Sequence, residues 1–219
     1  MLIIAYYNAN GYRNMVIRLA NLCHEWDIPF KSYTDRWLEK QPEYKDYHNV
    51  FAAAKGGGYW AWKPMIILDA LKSSDEVLYL DSSVVPTGKD PILNMLKFTD
   101  KISAAKYSER QGKWTKRKCF TEMDCDSMEY WDALQVWAGV VSVKREGIPI
   151  VEEWKKWCMN YEVISDCPST DNLEGFKDHR HDQSILTNLL IRHKQSTFES
   201  SDFYDIVDYS PQTEPKFEF

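Results

Sequence analysis

The sequence predicts one α/β domain with a central, mostly parallel mixed sheet flanked by helices. The chain opens with an apolar strand pattern at residues 2–7, and apolar residues at helical spacing follow over residues 15–26, which is typical of a β-turn-α unit. Two further apolar runs, residues 77–80 and 136–143, have the character of strands buried in a sheet. A length of 219 residues suits one domain with a full hydrophobic core.

The other elements follow in chain order. A second strand is predicted at residues 28–33, and Thr34 with Asp35 has the chemistry of a helix start. Pro64 suits the first turn of a helix, which predicts a helix at residues 65–72 directly before the strand at 77–80. Helices are also predicted at residues 92–98, 148–161 and 184–190, and a strand at residues 101–106.

Two internal segments and the C-terminus lack a periodic pattern. Residues 107–126 are polar and charged, which predicts a long, mobile loop and a candidate lid or acceptor-side element. Residues 165–178 are predicted to be irregular. Residues 1–208 are assigned to the domain, and residues 209–219 to a C-terminal tail or linker.

The composition excludes some classes of function. A net charge of −6 and a pI near 5.4 argue against a nucleic-acid partner, because phosphate contacts need a basic surplus. Five cysteines without a CxxC pair favour a reducing compartment. The apolar opening is too short for a signal peptide or a membrane anchor, and no later run reaches spanning length. We therefore expect a soluble, cytoplasmic protein with no transmembrane segment.

Asp81 is the first candidate for ligand chemistry, because it follows the apolar run at residues 77–80. In open α/β sheets, ligands bind just beyond such strand ends. Asp81, Ser82 and Ser83 offer one carboxylate and two hydroxyls, and hard cations such as Mg²⁺ and Mn²⁺ take oxygen ligands. His179 and His181 are candidates for the missing metal ligands. The alternative is that Asp81 only caps a turn.

The densest group of titratable residues lies at 178–183, just before the helix predicted at 184–190. Asp182 and Gln183 would then lie at a helix N-terminus, where the dipole favours an ionised carboxylate facing a developing positive charge. A solvated surface cluster is the alternative. Zinc is disfavoured because the His179 and His181 pair has no companion Cys or His pair at a recognisable spacing.

A glycine- and tryptophan-rich segment, KGGGYWAWKP, spans residues 55–64. Its glycines permit close approach of a ligand to the backbone, and Lys55 or Lys63 could neutralise phosphate. The spacing matches neither a P-loop nor a dinucleotide fingerprint. In an extended segment Trp60 and Trp62 would share a face, as part of the core or as a platform for sugar stacking.

A polar residue and a small pair mark the strand at residues 136–143. Gln135 precedes this strand, and Ala138 with Gly139 interrupts its large apolar side chains. The small pair allows close packing. It could equally leave room for a sugar ring beside Asp81, with Gln135 bonding to hydroxyl groups.

Four blocks in this order, GGGYWAWKPMIIL, DEVLYLDSS, QVWAGVVSVKR and HRHDQSILTNLL, resemble glycosyltransferases with the Rossmann-like GT-A fold. The resemblance covers residues 55–190 and is to the type found in bacteria and large algal viruses, including the N-terminal transferase domain of multidomain chlorella-virus glycosyltransferases. It implies that a hexose or deoxyhexose moves from a nucleotide-diphosphate sugar, UDP-sugar foremost, to a hydroxyl of a glycan or glycoprotein acceptor. For a viral protein it implies the host cytoplasm.

The resemblance also implies roles for individual residues. Asp81 takes the first position of the family's D-x-D metal motif and Ser83 the last, where the family has a second carboxylate, with Mn²⁺ or Mg²⁺ as the cofactor. Asp182 and Gln183 resemble the D-Q pair of glycogenin-like retaining transferases, which faces the donor sugar. The remaining implied positions lie near the nucleotide, at Tyr6, Tyr7, Asn8, Thr34 and Asp35.

Two other functions stay open on the sequence alone. The serine at position 83 is compatible with a carbohydrate- or nucleotide-binding module that has lost catalysis. A sugar-phosphate nucleotidyltransferase shares the sheet and the acidic strand ends, but it usually has a glycine- and arginine-rich loop after the first strand. Residues 8–13 here read NANGYR, which makes that function the least favoured.

Overall fold

The computed structural model describes residues 1–8, 12–199 and 204–206, the last three by their backbone. Within these ranges the chain forms eight strands in two sheets. The strands are β1 Leu2–Tyr7, β2 Phe30–Thr34, β3 Glu76–Leu80, β4 Val84–Pro86, β5 Ile102–Arg110, β6 Leu134–Lys144, β7 Thr197–Phe198 and β8 Tyr204–Ile206.

The helices in the described ranges are mostly short. They are α1 Arg13–Glu25, α2 Asp35–Leu38, α3 Pro42–Asp46, α4 His48–Phe51, α5 Gly56–Tyr59, α6 Trp62–Leu71, α7 Lys89–Phe98, α8 Gln111–Trp114, α9 Arg117–Glu122, α10 Met128–Trp131, α11 Ile148–Cys158, α12 Tyr161–Ile164 and α13 His181–Arg192, with a 3₁₀ turn at Arg145–Gly147.

The central sheet has the order β2-β1-β3-β6-β5-β7. Strands β2, β1 and β3 are parallel, β6 is antiparallel to both β3 and β5, and β7 is parallel to β5. The prediction of a mixed α/β sheet flanked by helices is confirmed. Strand β3 is internal, so its carboxyl end lies in the middle of one edge of the sheet.

Alternate residues of the central strands bury their side chains on opposite faces of the sheet. Ile4 of β1 belongs to the apolar layer that α6, α11 and α13 cover, whereas its neighbour Ile3 belongs to the layer that α1 and α7 cover. Tyr79 and Leu80 of β3 divide in the same way. The β3 end is therefore enclosed from both faces.

Strand β6 carries an irregularity opposite the end of β3. Neighbouring β5 residues Ala104 and Ala105 pair with Val141 and Trp137, which are four residues apart in β6. This register shift places Gly139 within a bulge of the β5–β6 pairing, and on the β3 side the Gly139 carbonyl accepts a hydrogen bond from the Asp81 amide at 2.8 Å. The predicted interruption at Gly139 is therefore a bulge within a continuous strand.

The prediction of a long, mobile loop at residues 107–126 is wrong. Strand β5 continues to Arg110, and helices α8 and α9 follow. Gln111, Thr115 and Lys116 are buried and bond to internal partners such as the Ser184 carbonyl and hydroxyl and the Ser165 carbonyl. A polar composition is misleading here because the polar groups are satisfied inside the protein. Residues 165–178 are irregular, as predicted, without a helix or strand.

Within the described part of the chain, no helix is both long enough and apolar enough to cross a bilayer. Residues 9–11 of the loop after β1 and the tail at 209–219 lie outside the described residues. Strand β8 pairs with β4, which starts three residues after Asp81.

Candidate functional site

Asp81 follows directly after β3, at the predicted edge of the sheet. The Tyr79 hydroxyl donates a hydrogen bond to Asp81 Oδ1, and the Lys63 ammonium lies 3.4 Å from the same oxygen. The carboxylate is 27% exposed. A Cβ atom on Gly139 would lie 2.7 Å from Asp81 Oδ2, so the glycine makes room for this side chain. The Asp81 side chain is held by the protein and still reaches a cavity.

Lys63 is the centre of the charged cluster. Its Nζ lies 3.3 Å from Asp182 Oδ2 and donates to the Ala138 carbonyl at 3.0 Å, and the side chain is only 5% exposed. Burial lowers the pKa of the Lys63 ammonium, but the carboxylates of Asp182 and Asp81 raise that pKa by more, so it stays above its ordinary value. One buried cation therefore joins the β3 end to the start of α13.

Asp182 is buried in the first turn of α13. Burial raises its pKa to about 7, in spite of the opposing effect of the Lys63 ammonium, and the Asp81 charge contributes to the rise. The Trp154 indole N–H donates to the Asp182 carbonyl at 3.0 Å, which fixes the start of the helix. This carboxylate changes its charge near neutral pH.

Gln183 ties the start of α13 to the bulge in β6. Its side-chain oxygen accepts from the Ala138 amide at 3.2 Å, and its Nε2 donates to Gln135 Oε1 at 2.8 Å. Gln135 in turn donates to the Ser184 hydroxyl at 3.4 Å. The structure thus brings Gln135 and Gln183 together with Lys63, Asp81 and Asp182, although both amides are engaged inside the protein.

A cavity of about 290 Å³ opens above the Asp81 carboxylate. It is lined by Tyr6, Tyr7, Asn8, Tyr12, Gly56, Trp60, Trp62, Tyr79, Asp81, Ser82 and Ser83. Seven of these were predicted as site residues, from three separate parts of the chain. Asp35, also predicted, lies behind the cavity, where its carboxylate accepts a hydrogen bond from the Tyr6 hydroxyl. Burial, with a contribution from Asp35, raises the pKa of Tyr6.

One wall of the cavity is aromatic. The Tyr6 and Trp62 rings stack with centroids 3.9 Å apart at 20°, and the Trp62 indole donates to the Gly56 carbonyl at 2.9 Å. The prediction of an extended segment at residues 60–62 is wrong. Trp60 has a left-handed backbone and Trp62 begins α6, yet both indoles line this cavity because the chain turns sharply between them.

Five consecutive residues from Gly56 to Trp60 have positive φ angles. Three are glycines, which adopt this conformation at little steric cost, but Tyr59 and Trp60 are not. The Trp60 indole lies directly over Gly56, where a Cβ atom would be 2.4 Å from the ring. The glycine run therefore allows a strained turn that holds the Trp60 ring in place.

The two predicted histidine ligands lie on another side of the α13 start. His179 Nε2 faces the Val163 carbonyl at 2.9 Å and its Nδ1 accepts from the Lys116 amide at 3.4 Å. His181 Nδ1 faces the Ile164 carbonyl at 2.7 Å. Neither histidine lines the cavity that holds Asp81 and Ser83. Their role as metal ligands stays a prediction.

The described residues provide a sparse set of metal ligands. Across residues 1–8, 12–199 and 204–206, no group of three or more His, Cys, Asp or Glu side chains is placed to hold a metal ion. Asp81 and Ser83 together provide a carboxylate and a hydroxyl on one cavity wall. These oxygens suit a hard cation that takes its other ligands from water or phosphate.

Lys55 was predicted to bind phosphate, but it does not line this cavity. Its Nζ lies 3.2 Å from Asp166 and 3.9 Å from Asp178. Tyr79 is a site residue that the sequence reasoning missed. The signal was present, because residues two apart in a strand share a face, and Tyr79 is two residues before Asp81.

The comparisons with known proteins identify the architecture. No known protein family and no curated protein matches the sequence. Mouse xyloside xylosyltransferase 1 in its apo form is similar in structure, with a TM-score of 0.50 and 14% identity over 90% of this chain and 71% of that one. An active-site mutant of LgtC gives a TM-score of 0.50 and 14% identity over 91% and 72%. The chain has the GT-A fold of these glycosyltransferases.

A viral protein is also among the similar structures. It is a glycosyltransferase involved in glycosylation of the major capsid of PBCV-1, with a TM-score of 0.41 and 13% identity over 71% of this chain. This chain spans 64% of the length of that protein.

Proposed function

We propose that the protein is a glycosyltransferase that moves a hexose or deoxyhexose from a nucleotide-diphosphate sugar, UDP-sugar foremost, to a hydroxyl of a glycan or glycoprotein. One observation carries the proposal. A buried lysine joins a strand-end aspartate to a helix-start aspartate beneath an aromatic cavity, in a chain with the GT-A fold. Ligands in open α/β sheets bind at such strand ends.

The nucleotide would lie at the β1 end of the cavity. Tyr6 and Trp62 offer a stacked aromatic surface, and Asn8 and Tyr7 lie on the same wall. Asp35 holds the Tyr6 hydroxyl, so it would orient this surface from behind. A flat aromatic wall suits a nucleobase, while Trp60 on the Gly56 side would contact the sugar.

The diphosphate would lie over Asp81, Ser82 and Ser83. Asp81 and Ser83 would hold Mn²⁺ or Mg²⁺ with oxygen ligands, and the bound cation would neutralise charge on the departing diphosphate. Lys63 supports the same task from beneath, because its ammonium is fixed 3.4 Å from the Asp81 carboxylate. A preorganised charge of this kind costs no rearrangement during the reaction.

We assign Asp182 and Gln183 to the sugar side of the reaction and propose that transfer retains the anomeric configuration. Donor cleavage leaves positive charge on the sugar, and the two carboxylates joined by Lys63 would stabilise it electrostatically. Gln183, fixed by Gln135 and the Ala138 amide, would position the start of α13 beneath the sugar. Gly139 leaves room for the Trp137 ring and the Asp81 carboxylate, because a Cβ atom there would lie 2.3 Å from the one and 2.7 Å from the other.

The proposal is tested by calorimetric titration with UDP, with and without Mn²⁺. We expect the wild-type protein to bind UDP in the micromolar range with Mn²⁺ and the Asp81→Ala variant to lose this binding. Asp100→Ala is the matched control, because Asp100 is exposed and lines neither this cavity nor the neighbouring cleft that contains Lys55 and Asp166. Failure of the wild-type protein to bind UDP under both conditions would exclude a UDP-sugar donor.

Hydrolysis of a UDP-sugar separates a transferase from a binding module. A module that has lost catalysis would bind the UDP-sugar but would not release UDP from it. The serine at position 83, in place of a second carboxylate, makes this alternative worth testing. Proton NMR of the first sugar released would identify its anomer, and an inverted anomer would contradict retention.

A further inference from the structure

A second cleft, of about 370 Å³, lies beside the donor cavity. Consecutive residues divide between the two, because Gly56 lines the donor cavity and Lys55 lines the second cleft. The Trp60 ring of the donor cavity lies 5.7 Å from the His181 ring, and His181 Nε2 lies 3.5 Å from Asp166 Oδ1 in the cleft. The two spaces therefore share one wall.

The polar groups of this cleft are balanced in charge. Asp166 and Asp178 present carboxylates that are 44% and 54% exposed, with the Lys55 ammonium 3.2 and 3.9 Å away. Lys116 turns inward, where its ammonium donates to the Ser165 carbonyl at 2.6 Å. A phosphate or another polyanion would meet two carboxylates with one accessible ammonium. A neutral ligand rich in hydroxyl groups fits this set better.

The remaining lining groups suit a sugar ring. Phe176 provides a partly exposed aromatic side chain, and Ser169 and Asn172 add short polar groups at the same cleft. Carbohydrate sites combine such aromatic surface with side chains that bond to hydroxyls.

His181 lies behind the Asp166 carboxylate and outside the lining of the cleft. It is 2% exposed and its Nε2 has no hydrogen-bond partner. Because Nδ1 faces the Ile164 carbonyl, Nδ1 carries the proton in the neutral ring and Nε2 presents a lone pair. Two acceptors, Nε2 and Asp166 Oδ1, then face each other at 3.5 Å, and of the two it is the Asp166 carboxylate that lines the cleft and could accept from a ligand hydroxyl.

We infer that this cleft binds the acceptor, a neutral glycan whose terminal sugar contacts Asp166, Asp178 and Phe176 beside the donor cavity. The inference rests on the proposed transferase function. Residues 165–178 form the irregular segment before α13, so this part of the chain would select the acceptor.

The test is NMR titration of the protein with UDP present, using methyl glycosides of glucose, galactose, xylose and rhamnose as probes. We expect at least one probe to bind the wild-type protein in the millimolar range. Asp166→Ala and Asp178→Ala should weaken that binding about tenfold, while UDP affinity stays within about twofold. Glu174→Ala is the control, because Glu174 is an exposed carboxylate of the same segment that does not line the cleft.

The outcomes distinguish this inference from the proposed function. UDP binding without binding of any probe, or probe binding that both substitutions leave unchanged, overturns the acceptor site and leaves the donor site intact. Absence of UDP binding, with probe binding that Asp166→Ala still weakens, excludes the UDP-sugar donor of the proposed function and supports a carbohydrate site at this cleft.

Discussion

Lys63 shows how one buried side chain can serve both stability and the candidate chemistry. Its ammonium is the cation between Asp81 and Asp182, and each of its three partners comes from a different part of the chain. Removing one partner of a buried ion pair destabilises the protein by more than the pair stabilises it, because an uncompensated charge remains buried. Phosphate was the predicted partner of Lys63, because no spacing rule indicates that two distant carboxylates converge on it.

We predict that Lys63→Met destabilises the protein by about 3 kcal/mol at about pH 8 and by less at about pH 5. Without the ammonium, the pKa of Asp182 rises further above its present value of about 7. The folded protein then binds a proton that the unfolded chain releases, so the loss of stability grows with pH. Urea unfolding at both pH values measures it.

Lys97→Met is the matched control for this substitution, since Lys97 is exposed on α7. It should change the free energy of unfolding by less than about 0.5 kcal/mol at either pH. Equal losses for Lys63→Met at the two pH values would show that lost packing, and not charge, dominates.

At the scale of elements, the turn at Gly56–Tyr59 was predictable in composition but not in conformation. The three glycines indicated close approach of the backbone to another group, and the structure identifies that group as the Trp60 ring of the same segment. The left-handed backbone of Tyr59 and Trp60 could not be inferred, because non-glycine residues rarely adopt it unless surrounding contacts impose it.

We predict different costs for alanine at two adjacent glycines of this turn. Gly57 has a φ of +59° and space for a methyl group, so Gly57→Ala should cost about 1 kcal/mol from the backbone alone. Gly58 has a φ of +97°, and a Cβ atom there would lie 2.8 Å from the Phe51 ring. Gly58→Ala should therefore cost about 3 kcal/mol. Thermal unfolding ranks the two, and equal costs would contradict the steric argument.

The short helices α8 and α9 explain why a long loop was wrongly predicted at residues 107–126. They span four and six residues, too few for a helical period to emerge in the sequence. Buried polar side chains of α8 and of the two residues between the helices, Thr115 and Lys116, bond to α13 and to the Ser165 carbonyl. Such partners are distant in sequence, so the polar composition of residues 107–126 by itself predicted a loop.

For the whole molecule, strands β1 and β3 were predicted with close bounds because their apolar runs reflect burial on both faces of the sheet, whereas β5 is longer than predicted and β4, β7 and β8 were not predicted. The first strand is at residues 2–7 as predicted, and the internal strand at 77–80 extends by one residue to Glu76–Leu80. The placement of Asp81 at the β3 end followed directly. The convergence of β1, α6 and α13 on that end depends on the sheet order, which local patterns do not encode.

Two opposing groups of buried side chains determine how stability changes with pH. Burial lowers the pKa of both His179 and His181. Below about pH 6.5 the unfolded chain therefore binds protons at these histidines that the folded protein does not bind, so stability falls as the pH falls. Asp182 acts the other way. Its pKa rises from 3.8 to about 7 on folding, so its contribution makes stability fall as pH rises through that range.

Between about pH 5 and pH 6, two histidines therefore oppose one aspartate, and we predict that Asp182 reduces the rise in unfolding free energy with pH that the two histidines produce. Asp182→Asn removes the opposing group, so its slope should exceed the wild-type slope by about 1.4 kcal/mol per pH unit. Glu43, Asp69 and Glu153 have lowered pKa values and titrate below this window. Urea unfolding across the window measures both slopes, with Asp100→Asn as the control. If Asp182→Asn keeps the wild-type slope, Asp182 is already ionised at pH 5, and the charge at the centre of the site is fixed.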